Sequence, residues 1–244
     1  MTSGAVSSRI LVIQHDPTCP PARFAGWLAD TGVDLDVIEA WHADIPSIDG
    51  YAGLLVLGGP MDADADREHR WLPVARQRFR DAAADAVPAL GICLGHQLAA
   101  LAFGGRVGRN PSGWVLGDRL PVWSCDEDPL FAPLLAERPD AAAYHWNQDV
   151  ISELPPGAVV LASSCGVPEV VRFTATVWGV QFHPEVSEDL IDLWAAAETA
   201  TVLECGLARE DLSTDSAPWQ ILAAQFAALV ASASTHDRLS SAAR

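Results

Sequence analysis

A thiol set between two glycines and, ninety positions later, a histidine and a glutamate two apart are the residues of this chain whose types and spacing suit covalent catalysis. The thiol is Cys93, in the stretch ALGICLGHQLAALAFGG. The pair is His183 and Glu185, in VWGVQFHPEVS, with the rigid Pro184 between them. A cysteine nucleophile needs a base to take and return a proton, and that imidazole needs a third group to fix its tautomer. Alone, Cys93 reads as readily as a buried structural cysteine, and HPE alone reads as a surface turn. Together the two motifs point to a Cys-His-Glu arrangement. The apolar run before Cys93 predicts a strand and the segment after it a helix. The thiol then falls on a tight turn at the carboxyl edge of a sheet, where flanking glycines avoid steric conflict. A helix from Leu94 aims its free amides and positive dipole end at the sulfur, which favours the thiolate.

The elements that must position these groups follow an alternating pattern over the first hundred residues. Apolar runs at 10–14, 35–38, 54–57 and 88–92 predict strands, and the third ends abruptly in Gly58, Gly59 and Pro60. Between them a helix is predicted from about Pro21 to Gly32, another over 67–86 interrupted near its start by Pro73, and a third over 94–103. Such alternation builds parallel strands with crossover helices. From Gly104 the character changes, and runs at 114–123, 158–162, 168–173 and 176–182 predict antiparallel or edge strands. Helices are predicted over 188–197 and 219–230. In the latter Ile221, Leu222, Gln225, Phe226, Leu229 and Val230 form one apolar stripe, suited to packing on its own domain or to a subunit interface. The economical reading is one domain over 1–244: a core of about 9–195, a helical extension of about 187–231 and a frayed tail over 232–244. The expected fold is α/β, a three-layer sandwich around a mostly parallel sheet with the active site at the strands' carboxyl ends.

Composition narrows the function. The formal charge of −17, from 15 basic and 32 acidic residues, repels phosphate backbones and anionic membrane surfaces. Every basic residue is arginine, which removes lysine Schiff-base and P-loop mechanisms. No run is long and apolar enough to predict a bilayer span, and the first residues lack a signal peptide's apolar region. Five scattered cysteines without CxxC pairs suggest a reducing cytoplasm.

With these motifs in hand, the sequence resembles the class I (triad) glutamine amidotransferases, most closely free-standing domains similar to the amidotransferase half of GMP synthase. GICLGHQ at 91–97 matches the family's nucleophile elbow, GVQFHPE at 179–185 its His-Glu strand end, and LVLGGPM at 55–61 its oxyanion loop. The likeness covers most of residues 9–195 and implies a flavodoxin-like fold and no cofactor. It implies that Cys93 attacks the glutamine carboxamide, that amides of Gly59 and Leu94 hold the oxyanion, and that His183, oriented by Glu185, protonates the departing ammonia. Gln97 and Gly58 are then expected to shape the glutamine pocket. Ammonia would pass to a separate synthetase, since the chain shows no ATP-binding glycine loop with lysine. Hydrolysis of γ-glutamyl amides or peptides by the same triad remains an alternative, although enzymes of that type tend to carry arginine where this chain has Leu94. A non-catalytic subunit of the same fold is the other, and a homo-oligomer is left open.

Several further signals compete. Many relatives carry Trp-His-x-Asp or Ser-His-x-Asp near the substrate, whereas this chain reads YHWNQD at 144–149, with Asn147 where histidine is common. Asp62, Asp64 and Asp66 alternate as in a calcium loop, but Arg67 replaces the required glycine and Pro73 the bidentate glutamate, so an acidic turn bordering the site is expected. His15, Asp16 and Cys19 lack a second ligand group at metal spacing and read as a loop after the first strand. His96 reads as a packed histidine within the elbow helix. His42, His69 and His236 have no supporting context.

Overall fold

The computed structural model describes residues 8–242, with side chains through 233 except at 210. An eight-stranded sheet runs through it. Its parallel half comprises β1 (Arg9–Gln14), β2 (Asp34–Glu39), β3 (Gly53–Val56) and β4 (Ala89–Ile92), joined by β12 (Val177–Val180). β11 (Val167–Arg172), β10 (Val159–Ser164) and β7 (Val122–Trp123) extend it antiparallel, in the order β2-β1-β3-β4-β12-β11-β10-β7. The order 2-1-3-4 is that of flavodoxin-like doubly wound sheets. The α/β reading with a mostly parallel centre therefore holds. Two small pairs stand apart: β5 (Arg106–Arg109) with β9 (Asp149–Glu153), and β6 (Val115–Arg119) with β8 (Ala143–Asn147).

Alternation along the strands fills a core on each face. Ile10, Val12, Leu55, Leu57, Leu90 and Ile92 point to one side, with Phe24 and Leu28 of α1 (Ala22–Ala29) and Leu134 of α4 (Ala132–Glu137). Leu222, Phe226 and Val230 of α7 (Gln220–Ala242) join that side. Leu11, Ile13, Leu54, Val56 and Ala89 point to the other, onto α2 (Leu72–Ala84) and α3 (Leu94–Ala102). A smaller cluster joins Leu116, Tyr144 and Trp146 of the β6–β8 pair to Ile191 and Trp194 of α5 (Glu188–Ala197) and Val202 of α6 (Thr199–Glu204). The stripe of α7 is intramolecular. Val230 packs so tightly on β3 that a Cβ at Gly53 would lie 2.7 Å from its Cγ2, and Gln225 turns outward to Pro129 O.

Three expectations need correction. Pro73 does not interrupt the second helix but starts it: α2 begins at Leu72, with proline in the first turn, where its missing N–H costs nothing. β12 is neither an edge nor purely antiparallel, since it pairs parallel with β4 through Val177↔Ala89 to Val180↔Ile92 and sits mid-sheet. The last helix, expected over 219–230, runs as α7 to Ala242, and residues 243–244 of the expected frayed tail lie outside the described residues.

Candidate active site

The elbow forms because β4 ends at Ile92 and α3 begins at Leu94, leaving one residue to reverse the chain. Cys93 takes φ +50°, ψ −103°, a conformation that L residues rarely adopt. Its N–H donates to Val180 O at 2.8 Å, continuing the β4–β12 ladder by one step. Both glycines are required by close approach. A Cβ at Gly91 would lie 2.5 Å from the Gly95 carbonyl, and one at Gly95 would lie 2.1 Å from Val56 O. The first amides of a helix lack intrahelical acceptors. Gly95 N–H is already given to Leu57 O at 3.1 Å and Gln97 N–H to Cys93 O at 3.1 Å.

β12 places the partner groups beside this elbow. His183 follows it, held by its N–H to Tyr144 O at 2.7 Å, and the Glu185 carbonyl accepts from Arg23 N at 3.0 Å. His183 Nδ1 meets Glu185 Oε1 at 2.9 Å, both side chains buried. Cys93 lies beside the same ring, since His183 Cε1 and Cys93 Cβ both come within 4 Å of one point at Gly58. Burial works against charge on this imidazole, yet the Glu185 carboxylate and the Cys93 sulfur outweigh it and raise its pKa to about 10. Trp194 stands edge-on to the ring at 4.8 Å, fixed by its indole N–H to Thr18 O at 2.8 Å.

The Gly58-Gly59 loop closes over the pair. A Cβ at Gly58 would come 3.0 Å from His183 Cε1 and 3.7 Å from Cys93 Cβ. One at Gly59 would meet Met61 Sδ at 2.6 Å, Leu94 Cδ2 at 2.9 Å and His15 Cβ at 3.1 Å. The loop thus lies directly against the Leu94 side chain. Below it, buried His15 accepts the Trp71 indole N–H at Nδ1, 3.1 Å away. Burial, with His69 adding to it, lowers its pKa to about 3.

A cavity of about 350 Å³ opens from Cys93 and His183. Gly59, Gln97 and Asn147 line it, as do Trp114, Trp146 and Trp194. Asp16, Asp62, Asp149 and Glu198 supply its carboxylates and Arg109 a guanidinium, bridged at 3.0–3.1 Å to Asp149 and Asp62. The alternating aspartates thus serve ion pairs, Asp66 with Arg76 and Asp62 with Arg109. Asn147 donates to Asp149 O at 3.2 Å and leaves its buried Oδ1 without a protein partner. His145, two residues before it, points away into a buried contact with Glu169 at 2.6 Å. His96 is packed against Phe173 and Gly179, and burial lowers its pKa to about 3.

Sequence reasoning passed over Trp194, Arg109 and Gln181. Gln181 is fully buried and places Nε2 3.7 Å from Cys93 Sγ. A lone amide inside the apolar run VWGVQF was the signal, since a buried polar side chain requires a partner.

The family described as glutamine amidotransferase class-I matches residues 25–192. The chain is similar to a glutamine-hydrolyzing GMP synthase subunit from Haloarcula marismortui, 32% identical over 162 residues, covering 66% of this chain and 77% of that protein. It is similar to the protein of the same name from Methanocaldococcus jannaschii, 35% identical over 137 residues, covering 55% and 65%. In fold it resembles a glutamine amidotransferase from Thermotoga maritima with TM-score 0.79, at 21% identity over 91% of this chain and 97% of the other.

Proposed function

The chain belongs to the class I glutamine amidotransferase family, and we propose that it hydrolyses the side-chain amide of glutamine to glutamate and ammonia through Cys93, His183 and Glu185. The observation carrying this reading is that the strained Cys93 and a buried imidazole, held by a carboxylate at 2.9 Å, both lie within 4 Å of one point at Gly58. The Cys93 thiolate attacks the carboxamide carbon, and the electron pair of the C=O bond moves onto oxygen. Amides of Gly59 and Leu94 hold that oxyanion, each contributing on the order of 3 kcal/mol to barrier reduction. His183 protonates the departing nitrogen as the C–N bond breaks, leaving a γ-glutamyl thioester and ammonia. Water, deprotonated by the same ring, then attacks the thioester and releases glutamate and thiolate.

Gly58 leaves room for the imidazole and Gln97 lines the cavity, so both shape the glutamine site. Asn147 Oδ1 offers an acceptor for a substrate N–H. The named relatives are subunits of a glutamine-hydrolyzing synthase. By that likeness the ammonia goes to a synthetase on a separate polypeptide, and the chain works as one amidotransferase domain. Its free cysteines suit the cytoplasm. Among the described residues no helix is long and apolar enough to cross a membrane.

The decisive experiment pairs ammonia release from glutamine with mass-spectrometric mapping of a glutamine-mimicking electrophile. The expected result is turnover and one adduct, at Cys93. Turnover that survives Cys93→Ala, or preference for γ-glutamyl amines over glutamine by kcat/KM, would overturn the reading.

A further inference from the structure

Among the groups around the thiol, one polar side chain is used by none of the assignments above. Gln181 follows β12 by one residue, its backbone N–H bonded to Glu169 O at 2.8 Å. Its amide orientation follows from the surrounding network. The backbone carbonyl of Asp149 only accepts, so the Gln97 atom that meets it at 3.0 Å is Nε2. The second hydrogen of that nitrogen meets Gln181 Oε1 at 3.4 Å. Gln181 Nε2 is thereby the atom turned to Cys93 Sγ, at 3.7 Å. A neutral thiol is a weak acceptor, and a thiolate is a strong one.

Resting on the reading of Cys93 as nucleophile, we propose that Gln181 is a catalytic residue: its side-chain amide donates a hydrogen bond that holds the Cys93 sulfur as thiolate, and the Asp149–Gln97 relay keeps the donor aimed. A hydrogen bond to the charged form favours that form. The same donor serves twice. It stabilises the nucleophile before attack. In thioester breakdown, as the C–S bond breaks and its electron pair returns to sulfur, it meets the growing charge. Because Gln97 also lines the cavity, substrate binding and thiolate stabilisation share one side chain.

The titratable groups coupled to the sulfur include His183 beyond β12 and Cys19 in the loop after β1; Glu185 and Asp16 stand beside these, and Asp62, Arg109, Asp149 and Glu198 line the same cavity. Burial pushes the Cys19 thiol up, so it stays neutral. All are retained in the variants that test the proposal. Gln181→Met keeps the bulk and removes the donor; Gln181→Asn keeps an amide but withdraws it from the sulfur. The measurement is the rate of Cys93 alkylation by iodoacetamide against pH, followed by peptide mass spectrometry on the full chain, with kcat and KM for glutamine alongside.

Both variants are expected to move the alkylation midpoint up by about one pH unit, so that below it Cys93 reacts about tenfold more slowly. A comparable fall in kcat is expected, with KM nearly unchanged. A merely structural role would lower thermal stability without moving the midpoint. A wild-type midpoint in both variants overturns the proposal. Should neither fold, Gln97→Met, which frees the Gln181 amide to turn, carries the decision with an expected loss of about threefold. Wild-type protein that neither releases ammonia nor alkylates at Cys93 would instead overturn the functional reading on which this rests.

Discussion

Replacing Glu185 by glutamine should lower the pKa of His183 and slow turnover, while leaving the fold intact. Glutamine preserves the shape and an acceptor for Nδ1, so the main loss is one negative charge. With Nδ1 and Oε1 at 2.9 Å, the two charges are centred about 4 Å apart, and at an effective dielectric of about 20 their attraction is about 4 kcal/mol. That corresponds to about 3 pK units. Burial, which already opposes charge on the ring, then meets only the sulfur, and the His183 midpoint should fall from about 10 to about 7. In the wild type the raised value means that this pair stabilises the fold fully below pH 6.5 and loses that contribution as pH climbs through about 10. In the Glu185→Gln protein the loss should occur near neutrality. The assay is an NMR titration of the ¹³C-labelled imidazole alongside kcat against pH, where a fall of about 10²-fold is expected. A His183 midpoint remaining above pH 9 in the variant would refute the electrostatic account.

Gly58→Ala should fold normally yet lose about tenfold to a hundredfold in kcat, because the new methyl, 3.0 Å from His183 Cε1, displaces the ring by a few tenths of an ångström; a crystal structure and steady-state kinetics check both halves. Gly95→Ala places Cβ 2.1 Å from Val56 O, against backbone that has nowhere to move, and should abolish soluble expression. Asn147→Ala removes the unpartnered Oδ1 and should raise KM for glutamine more than it lowers kcat. Buried His15 and His96 take up protons only on unfolding, so their contribution is full above pH 6.5 and declines as pH falls toward about 3. Unfolding free energies from urea titrations at pH 7 and 5 should therefore differ by about 2 kcal/mol per histidine, and His96→Leu should remove about half of that dependence.

How much of this is readable in the sequence depends on how local the cause is. The elbow is legible because its requirements, two small residues and a strand-to-helix switch, lie within five positions. β12 is misjudged because a four-residue buried run carries no record of its neighbour; only the crossover topology decides that VWGV lies beside β4. β5, β8 and β9 escape notice since RVGR, AYHWN and DVISE take their order from pairing partners tens of residues away. Pro73 reads as a break because proline both opens and ends helices, and the choice between the two is made by Leu72 burying itself in the core. The three site residues missing from the sequence reading are all set by tertiary contacts: Trp194 by Thr18, Arg109 by Asp62 and Asp149, and Gln181 by Gln97.

The mid-sheet seam between β4 and β12 divides the machinery in a usable way. The part N-terminal to the exposed Asp126–Glu127 segment carries the sulfur, and the part C-terminal to it carries the imidazole and carboxylate. A chain cut there yields two fragments, neither of which holds both the sulfur and the imidazole, and the ladder from Val177 to Val180 rejoins them together with the β5–β9, β6–β8 and β7–β10 pairs. Ammonia output from such a pair would rise in proportion to the reassembled amount, so the two fragments fused to two interacting proteins would report their meeting.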